Sequence, residues 1–183
     1  MVHTTFLELA AARRSIRKYK AAPVERKKLE ACLEAARLAP SACNAQPYCF
    51  IVVDEPAFRK KFCDAVFTGV YSATKFAASA PALVAVVADT GKLTAWLGNQ
   101  MRDTNFRLID IGIAAEHFVL AAAAEGLGTC WIGWFNAKAA AKVLRLGAGK
   151  KVEVLLSVGY PDEKPAPRPR KKMGEFAAYN EVL

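Results

Sequence analysis

Five basic side chains fall within eight positions in the stretch RRSIRKYK, residues 13–20. A second cationic group, Lys164, Arg168, Arg170, Lys171 and Lys172, lies near the other end of the chain. Guanidinium groups bond phosphate oxygens in pairs, so two such segments converging on one point would make an anion site. Spread over separate faces, the same residues would be solvated surface charge. Two further stretches offer polar groups in stiff surroundings. APSACNAQPYCF, residues 39–50, carries Ser41, Asn44 and Gln46 between Pro40 and Pro47. Those side chains either bond a planar heterocycle or polyol, or satisfy backbone groups of a helix–strand turn. EGLGTCWIGWFN, residues 125–136, holds Gly126, Gly128 and Gly133, where backbone can approach a ligand closely. Its spacing is not the dinucleotide fingerprint G-x-G-x-x-G.

The ingredients of hydrolysis are missing. The chain has no G-x-S-x-G elbow, no defensible Cys/His pairing and no persuasive carboxylate pair. His3 and His117 are far apart, in no ligand-pair spacing, so no metal site is expected. The five cysteines, Cys32, Cys43, Cys49, Cys63 and Cys130, form no C-x-x-C pair and read as reduced thiols. An enzyme built from these parts leaves the hard chemistry to a cofactor.

Composition bounds the setting. At 183 residues with 54% apolar content, the chain is long enough for one domain with a substantial core. No apolar run reaches the roughly 18–20 residues of a membrane span, because Glu116, His117 and Glu125 interrupt the best candidate. The amino-terminal residues lack the order of a secretory signal, and the expectation is a cytoplasmic protein with no membrane partner. The net charge of +9 invites a nucleic-acid reading, but it is gathered at the two ends and the middle is close to neutral. No nucleic-acid partner is expected.

The elements that must position these stretches follow from local pattern. Thr5 to Glu8 fits a capping box, opening a helix to about Arg14, with residues 15–20 extended beyond it. Glu25 to Leu38 has helical apolar spacing and stops at Pro40. Tyr48 to Val53 reads as a strand, Pro56 to Val66 as a helix, and Thr74 to Ala80 as a further turn or two. Ala82 to Ala88 is uninterruptedly apolar, the mark of a central strand covered on both faces. Residues 89–105 are polar and irregular and read as a cover segment. Phe106 to Glu125 is the longest helix, apolar nearly all round and therefore expected to be buried on all sides, in part at a subunit interface, with Gly126 ending it. A strand at 129–134, a helix capped by Asn136 and a strand at 152–158 complete the set. Residues 161–172, with four prolines and five basic side chains, must lie on something. The class is α+β, one domain over 1–183.

Taken together, Arg13-Arg-Ser-Ile-Arg-Lys-Tyr19, Ala39-Pro-Ser-Ala-Cys-Asn-Ala-Gln-Pro47, Ala124-Glu-Gly-Leu-Gly-Thr-Cys-Trp-Ile-Gly133, Val158-Gly-Tyr-Pro161 and Arg168-Pro-Arg170 resemble the nitroreductase family. The pieces occur in that family's order over about residues 5–180. The resemblance implies a three-layer fold with a small mixed sheet, an intertwined homodimer, and two FMN sites at the subunit interface. It implies NAD(P)H as co-substrate and a nitroaromatic, quinone-like or other electron-poor small molecule as acceptor, in a ping-pong cycle. By position, Arg13, Arg14 and Ser15 would meet the FMN phosphate and ribityl chain, with Arg168 and Arg170 closing on the same phosphate. Arg17, with Lys75, would lie at the N1/O2 edge of the flavin, where a fixed cation favours the charge left by two-electron reduction. Pro40, Ser41, Asn44 and Gln46 would come from the other subunit. Backbone groups of Gly133 and Trp134 would face the N5/O4 edge, and residues 161–183 would form an arm on the partner.

The chain departs from that family's pattern in places. Tyr48 stands where tryptophan is common, the match around Ser72 and Lys75 is loose, and 89–105 is short, which leaves the acceptor open. Trp96, Phe106, Tyr71 and Trp134 are candidates to line its pocket. A flavin-binding protein with a sensing or storage role, and other chemistries on the same fold such as flavin fragmentation or reductive dehalogenation, remain alternatives.

Overall fold

The structure is a computed structural model that describes residues 5–89 and 104–180. Six α-helices are seen among these residues: α1 (Phe6–Ala12), α2 (Arg26–Arg37), α3 (Pro56–Val66), α4 (Phe106–Ala124), α5 (Ala137–Val143) and α6 (Met173–Phe176). Four strands accompany them: β1 (Tyr48–Val53), β2 (Ala82–Asp89), β3 (Gly128–Ile132) and β4 (Lys150–Gly159). Two 3₁₀ segments, Ala42–Asn44 and Gly69–Ser79, precede β1 and β2. Most of the expected cover segment, 90–103 with Trp96, lies outside the described residues.

The helix ends are set by capping. The Thr5 hydroxyl accepts from the Glu8 N–H (3.2 Å) while the Glu8 carboxylate accepts from the Thr5 N–H (3.0 Å). Asn136 caps α5 by accepting from the Ala139 N–H (3.0 Å), and Gly126 ends α4 at φ +75.

The sheet has the order β1-β2-β4-β3. The residues of β2 from Ala82 to Ala88 are fully buried. Their side chains alternate between two cores. Ala82, Val84, Val86 and Ala88 pack with Leu29 and Cys32 of α2 and Ile111, Phe118 and Val119 of α4. Leu83, Ala85 and Val87 pack with Phe62 and Val66 of α3 and Ala140 of α5. The result is three layers, helices on both faces of the sheet.

One expectation is corrected. The sheet is not mixed: all three strand pairings are antiparallel. β2 and β3 do run in the same sense, but β4 lies between them, so the crossover through α4 leaves no parallel pair. Among the described residues, the one parallel feature is an isolated bridge from Ser15 to Thr129 at the outer side of β3. α4 is covered only in part within this chain, in keeping with its expected place at a subunit interface. Its Ile111, Ala114, Ala115, Phe118, Val119 and Ala122 are buried, whereas Leu108 and Ile109 are about half exposed.

Candidate functional site

The basic segment leaves α1 at Arg13 and runs extended along β3. The Ile16 N–H donates to the Thr129 carbonyl (2.8 Å), and the Lys20 N–H to that of Tyr160 (2.9 Å). Gly128 makes this approach possible, since a Cβ there would stand 2.7 Å from the Ile16 Cγ1. The buried Tyr19 lies 2.8 Å from the Ser157 hydroxyl and donates to the Ile16 carbonyl. Burial raises its pKa above the ordinary phenol value, so it stays a neutral donor.

The tail folds back onto this segment. The Asp162 N–H donates to the Lys18 carbonyl (3.0 Å). One Glu163 oxygen accepts from the N–H groups of both Arg17 (2.5 Å) and Lys18 (3.2 Å). Between segment and tail lies a cleft of about 580 Å³ that brings Arg13, Arg14, Ser15 and Arg17 together with Arg168 and Arg170. Among the described residues no carboxylate lines it. Arg14 donates to the carbonyls of Ala11 and Arg13, and Arg170 to that of Pro169 (3.2 Å). Arg13 stands 3.8 Å from Glu116. Arg14, Arg168 and Arg170 form no ion pair with any described carboxylate. A concave site with this much positive charge has the electrostatics suited to an anion. The segment therefore does not supply scattered surface charge; the fold collects it.

Arg17 also turns toward a different neighbour. Its guanidinium lies 5.7 Å from the centre of the Phe76 ring, beside the exposed Lys75. The same 3₁₀ segment holds Trp134, whose indole N–H donates to the Val70 carbonyl (2.8 Å) and whose carbonyl accepts from the Thr74 hydroxyl (2.6 Å). Trp134 is 56% exposed and its ring lies 5.4 Å from Tyr71. Gly133 is exposed, and a Cβ there would meet nothing within 4 Å. Gly126 and Gly128 thus have reasons within the chain to be glycine, and the described residues supply none for Gly133.

The loop 40–46 is held separately. The Ser41 hydroxyl accepts from the Gln46 N–H (3.0 Å), the role of a turn residue, and the Gln46 amide donates to Asn44 Oδ1 (3.0 Å). Cys43, Asn44 and Gln46 all adopt left-handed backbone, at φ +51, +52 and +45. The Ala42 N–H donates to the buried carboxylate of Asp110 (3.0 Å) on α4. Pro40, Asn44 and Gln46 remain exposed. No described hydrogen bond joins this loop to the arginine cleft. Asp110 pins the loop near the start of α4, and the second cleft, about 390 Å³ and sharing Arg13 and Arg14, borders Ala123 near its end. Arg13 itself reaches α4 at Glu116, about 9 Å along the helix from Asp110.

Asp110 and Glu163 were missed by sequence reasoning. The signals were an acid inside an otherwise apolar helix and an acid opening a basic tail. The exposed His117 has a ring nitrogen 2.8 Å from the Ile113 carbonyl one helical turn before it. No cluster of potential metal ligands occurs among the described residues, and none of their helices is long and apolar enough to cross a membrane.

Residues 10–160 match the model of the nitroreductase family. The chain belongs to the nitroreductase family. It is 35% identical over 163 residues to a protein of Archaeoglobus fulgidus provisionally named an NADH dehydrogenase/NAD(P)H nitroreductase, covering 86% of this chain and 87% of that one. Among solved structures, a nitroreductase family protein from Clostridium novyi superposes with a TM-score of 0.77 at 31% identity, covering 94% and 92% of the two chains. A Clostridium difficile protein described as an FMN-dependent nitroreductase superposes with a TM-score of 0.76 at 29% identity, covering 95% and 98%. As a member of this family the protein is an oxidoreductase.

Proposed function

We propose that this nitroreductase-family protein binds FMN without a covalent bond, takes reducing equivalents from NAD(P)H, and passes them to nitroaromatic, quinone-like or other electron-poor small molecules. The observation that carries the reading is the cleft in which Arg13, Arg14, Arg17, Arg168 and Arg170 converge with no carboxylate among them. A phosphate monoester with nearly two negative charges fits that donor set, because charge-assisted guanidinium bonds are the strong kind. When bound, FMN supplies a centre that accepts hydride from NAD(P)H and returns it to the acceptor in a ping-pong cycle.

The residues of this chain hold and tune that centre. Arg13, Arg14, Ser15, Arg168 and Arg170 grip the phosphate and ribityl end. Arg17 and Lys75 put positive charge at the pyrimidine edge, which favours the reduced form. Backbone groups of Gly133 and Trp134 meet the N5/O4 edge, consistent with the open space at Gly133. Pro40, Ser41, Asn44 and Gln46 come from a second copy of the chain, so the working unit is a homodimer.

The test is optical. The purified protein, or the apoprotein given FMN, is expected to be yellow, to bleach on anaerobic addition of NADH or NADPH, and to regain colour when a nitroaromatic or quinone is added. A protein that binds no FMN overturns the assignment. One that binds FMN and is not bleached by either nucleotide is a flavin carrier instead.

A further inference from the structure

Resting on the FMN reading, we propose that Glu163 is a positioning residue. It anchors a proline-stiffened strut that sets the distance between the two arginine groups of the phosphate cleft. Three consecutive features tie the tail to the basic segment: the Tyr160 carbonyl accepts from Lys20, the Asp162 N–H donates to Lys18, and Glu163 accepts from Arg17 and Lys18. Glu163 is the one tail side chain in this set. It bridges two successive backbone N–H groups that have no other acceptor among the described hydrogen bonds. Beyond it, residues 164–170 make no described hydrogen bond to the segment.

Those residues read Lys-Pro-Ala-Pro-Arg-Pro-Arg. Proline at alternate positions fixes φ and holds the intervening residues extended, so the stretch behaves as a rod of about 3 Å per residue. Arg168 therefore sits about 15 Å along that rod from the Glu163 anchor. Pro165 and Pro167 themselves line the cleft. A loose tail would bring the same two arginines to the phosphate only after losing its conformational freedom, and that loss would weaken binding. The anchor also carries a negative charge at the edge of a cation-rich cleft. Charge and position thus act with opposite sign on a bound phosphate: the carboxylate repels it weakly while holding its ligands in place.

That opposition gives the experiment. Apoprotein of the full chain is titrated with FMN and with riboflavin, which lacks the phosphate, and the ratio of the two affinities reads the phosphate grip alone. Glu163→Ala and the double substitution Pro165→Gly/Pro167→Gly are expected to lower that ratio about tenfold. Riboflavin affinity should stay near that of the unaltered chain. Glu163→Gln keeps an oxygen acceptor and loses the charge, so its ratio is expected to equal or exceed that of the unaltered chain. The proline variant touches no hydrogen bond, which keeps the test valid if Glu163→Ala fails to fold. Unchanged ratios in the variants that fold overturn the strut. A Glu163→Gln ratio as low as that of Glu163→Ala overturns the positional role of the carboxylate. Failure of the unaltered chain to bind FMN overturns the functional reading, and this inference with it.

Discussion

Neighbouring arginines on one short segment have different surroundings, and the difference predicts different phenotypes. Arg14 lines the cleft with only backbone carbonyls as partners, so its charge is free to meet a phosphate. Arg14→Ala or Arg170→Ala should weaken FMN binding roughly 10- to 150-fold, as expected for one charge-assisted contact, and calorimetric titration would read it. Unchanged affinity in both variants would reduce the cleft to solvated charge. Arg17 lines the same cleft and also leans on Phe76, next to Lys75 in sequence. Arg17→Ala should lower the midpoint potential of bound FMN more than it weakens oxidised FMN. About 30 mV corresponds to each ~1.4 kcal/mol of differential binding for a two-electron couple. A potential that does not move in redox titration would direct attention to Lys75. The cationic residues were legible because their type and clustering suffice to suggest an anion. Asp110 and Glu163 were not, since each acts by accepting from backbone N–H groups far away in sequence, and no local pattern encodes that pairing.

At the scale of elements, the seam between the segment 13–19 and β3 depends on a missing side chain. Gly128→Ala would drive a methyl group into Ile16. Such overpacking typically costs about 1–3 kcal/mol. It should lower the urea midpoint of the apoprotein and, by shifting Arg14 and Arg17 together, weaken FMN binding as well. Gly133→Ala is the counterpart. Its Cβ meets nothing within 4 Å among the described residues, so apoprotein stability should hold while FMN binding falls, if its backbone lies against the cofactor. Equal effects of the two substitutions on stability would remove that distinction. Most elements were readable from sequence because pattern, cap and breaker agreed. Strand Tyr48–Val53 and helix Pro56–Val66 have the expected bounds. The direction of the strands was not readable, because an apolar run states how a strand is covered and not which neighbour it meets. The faces of α4 were also hidden, since a helix apolar all round gives no sign of which stripe its own chain will leave open.

For the whole molecule, that open stripe joins a larger account of uncovered apolar surface. Phe6 and Leu7 on α1 are 67% and 77% exposed, and at the far end Met173, Phe176 and Tyr179 are 72%, 72% and 85% exposed. Contiguous exposure of large apolar side chains marks an interaction surface. The resemblance implies an arm that leaves its own chain at residue 161. Instead residues 161–163 are bonded to the basic segment of the same chain, so that α6 and its carboxy-terminal extension are the portion open to a second copy. This separates cofactor binding from assembly in a way the molecule can be made to report. Removing residues 173–183 keeps Arg168 and Arg170 but deletes three apolar anchors from each chain. If each anchor loses about half of a burial worth roughly 2 kcal/mol, dimerisation weakens by about 3 kcal/mol per arm, or more than 100-fold. Sedimentation at falling protein concentration should then find monomer where the full chain is still dimer. Flavin should dissociate along with the dimer, because the loop 40–46 leaves with the partner. Ending the chain after residue 164 should add a second loss, that of the phosphate grip, visible even at concentrations high enough to force the dimer together. A chain lacking 173–183 that remains a yellow dimer on dilution would mean that the stripe on α4 and the face of α1 hold the two copies together without the arm.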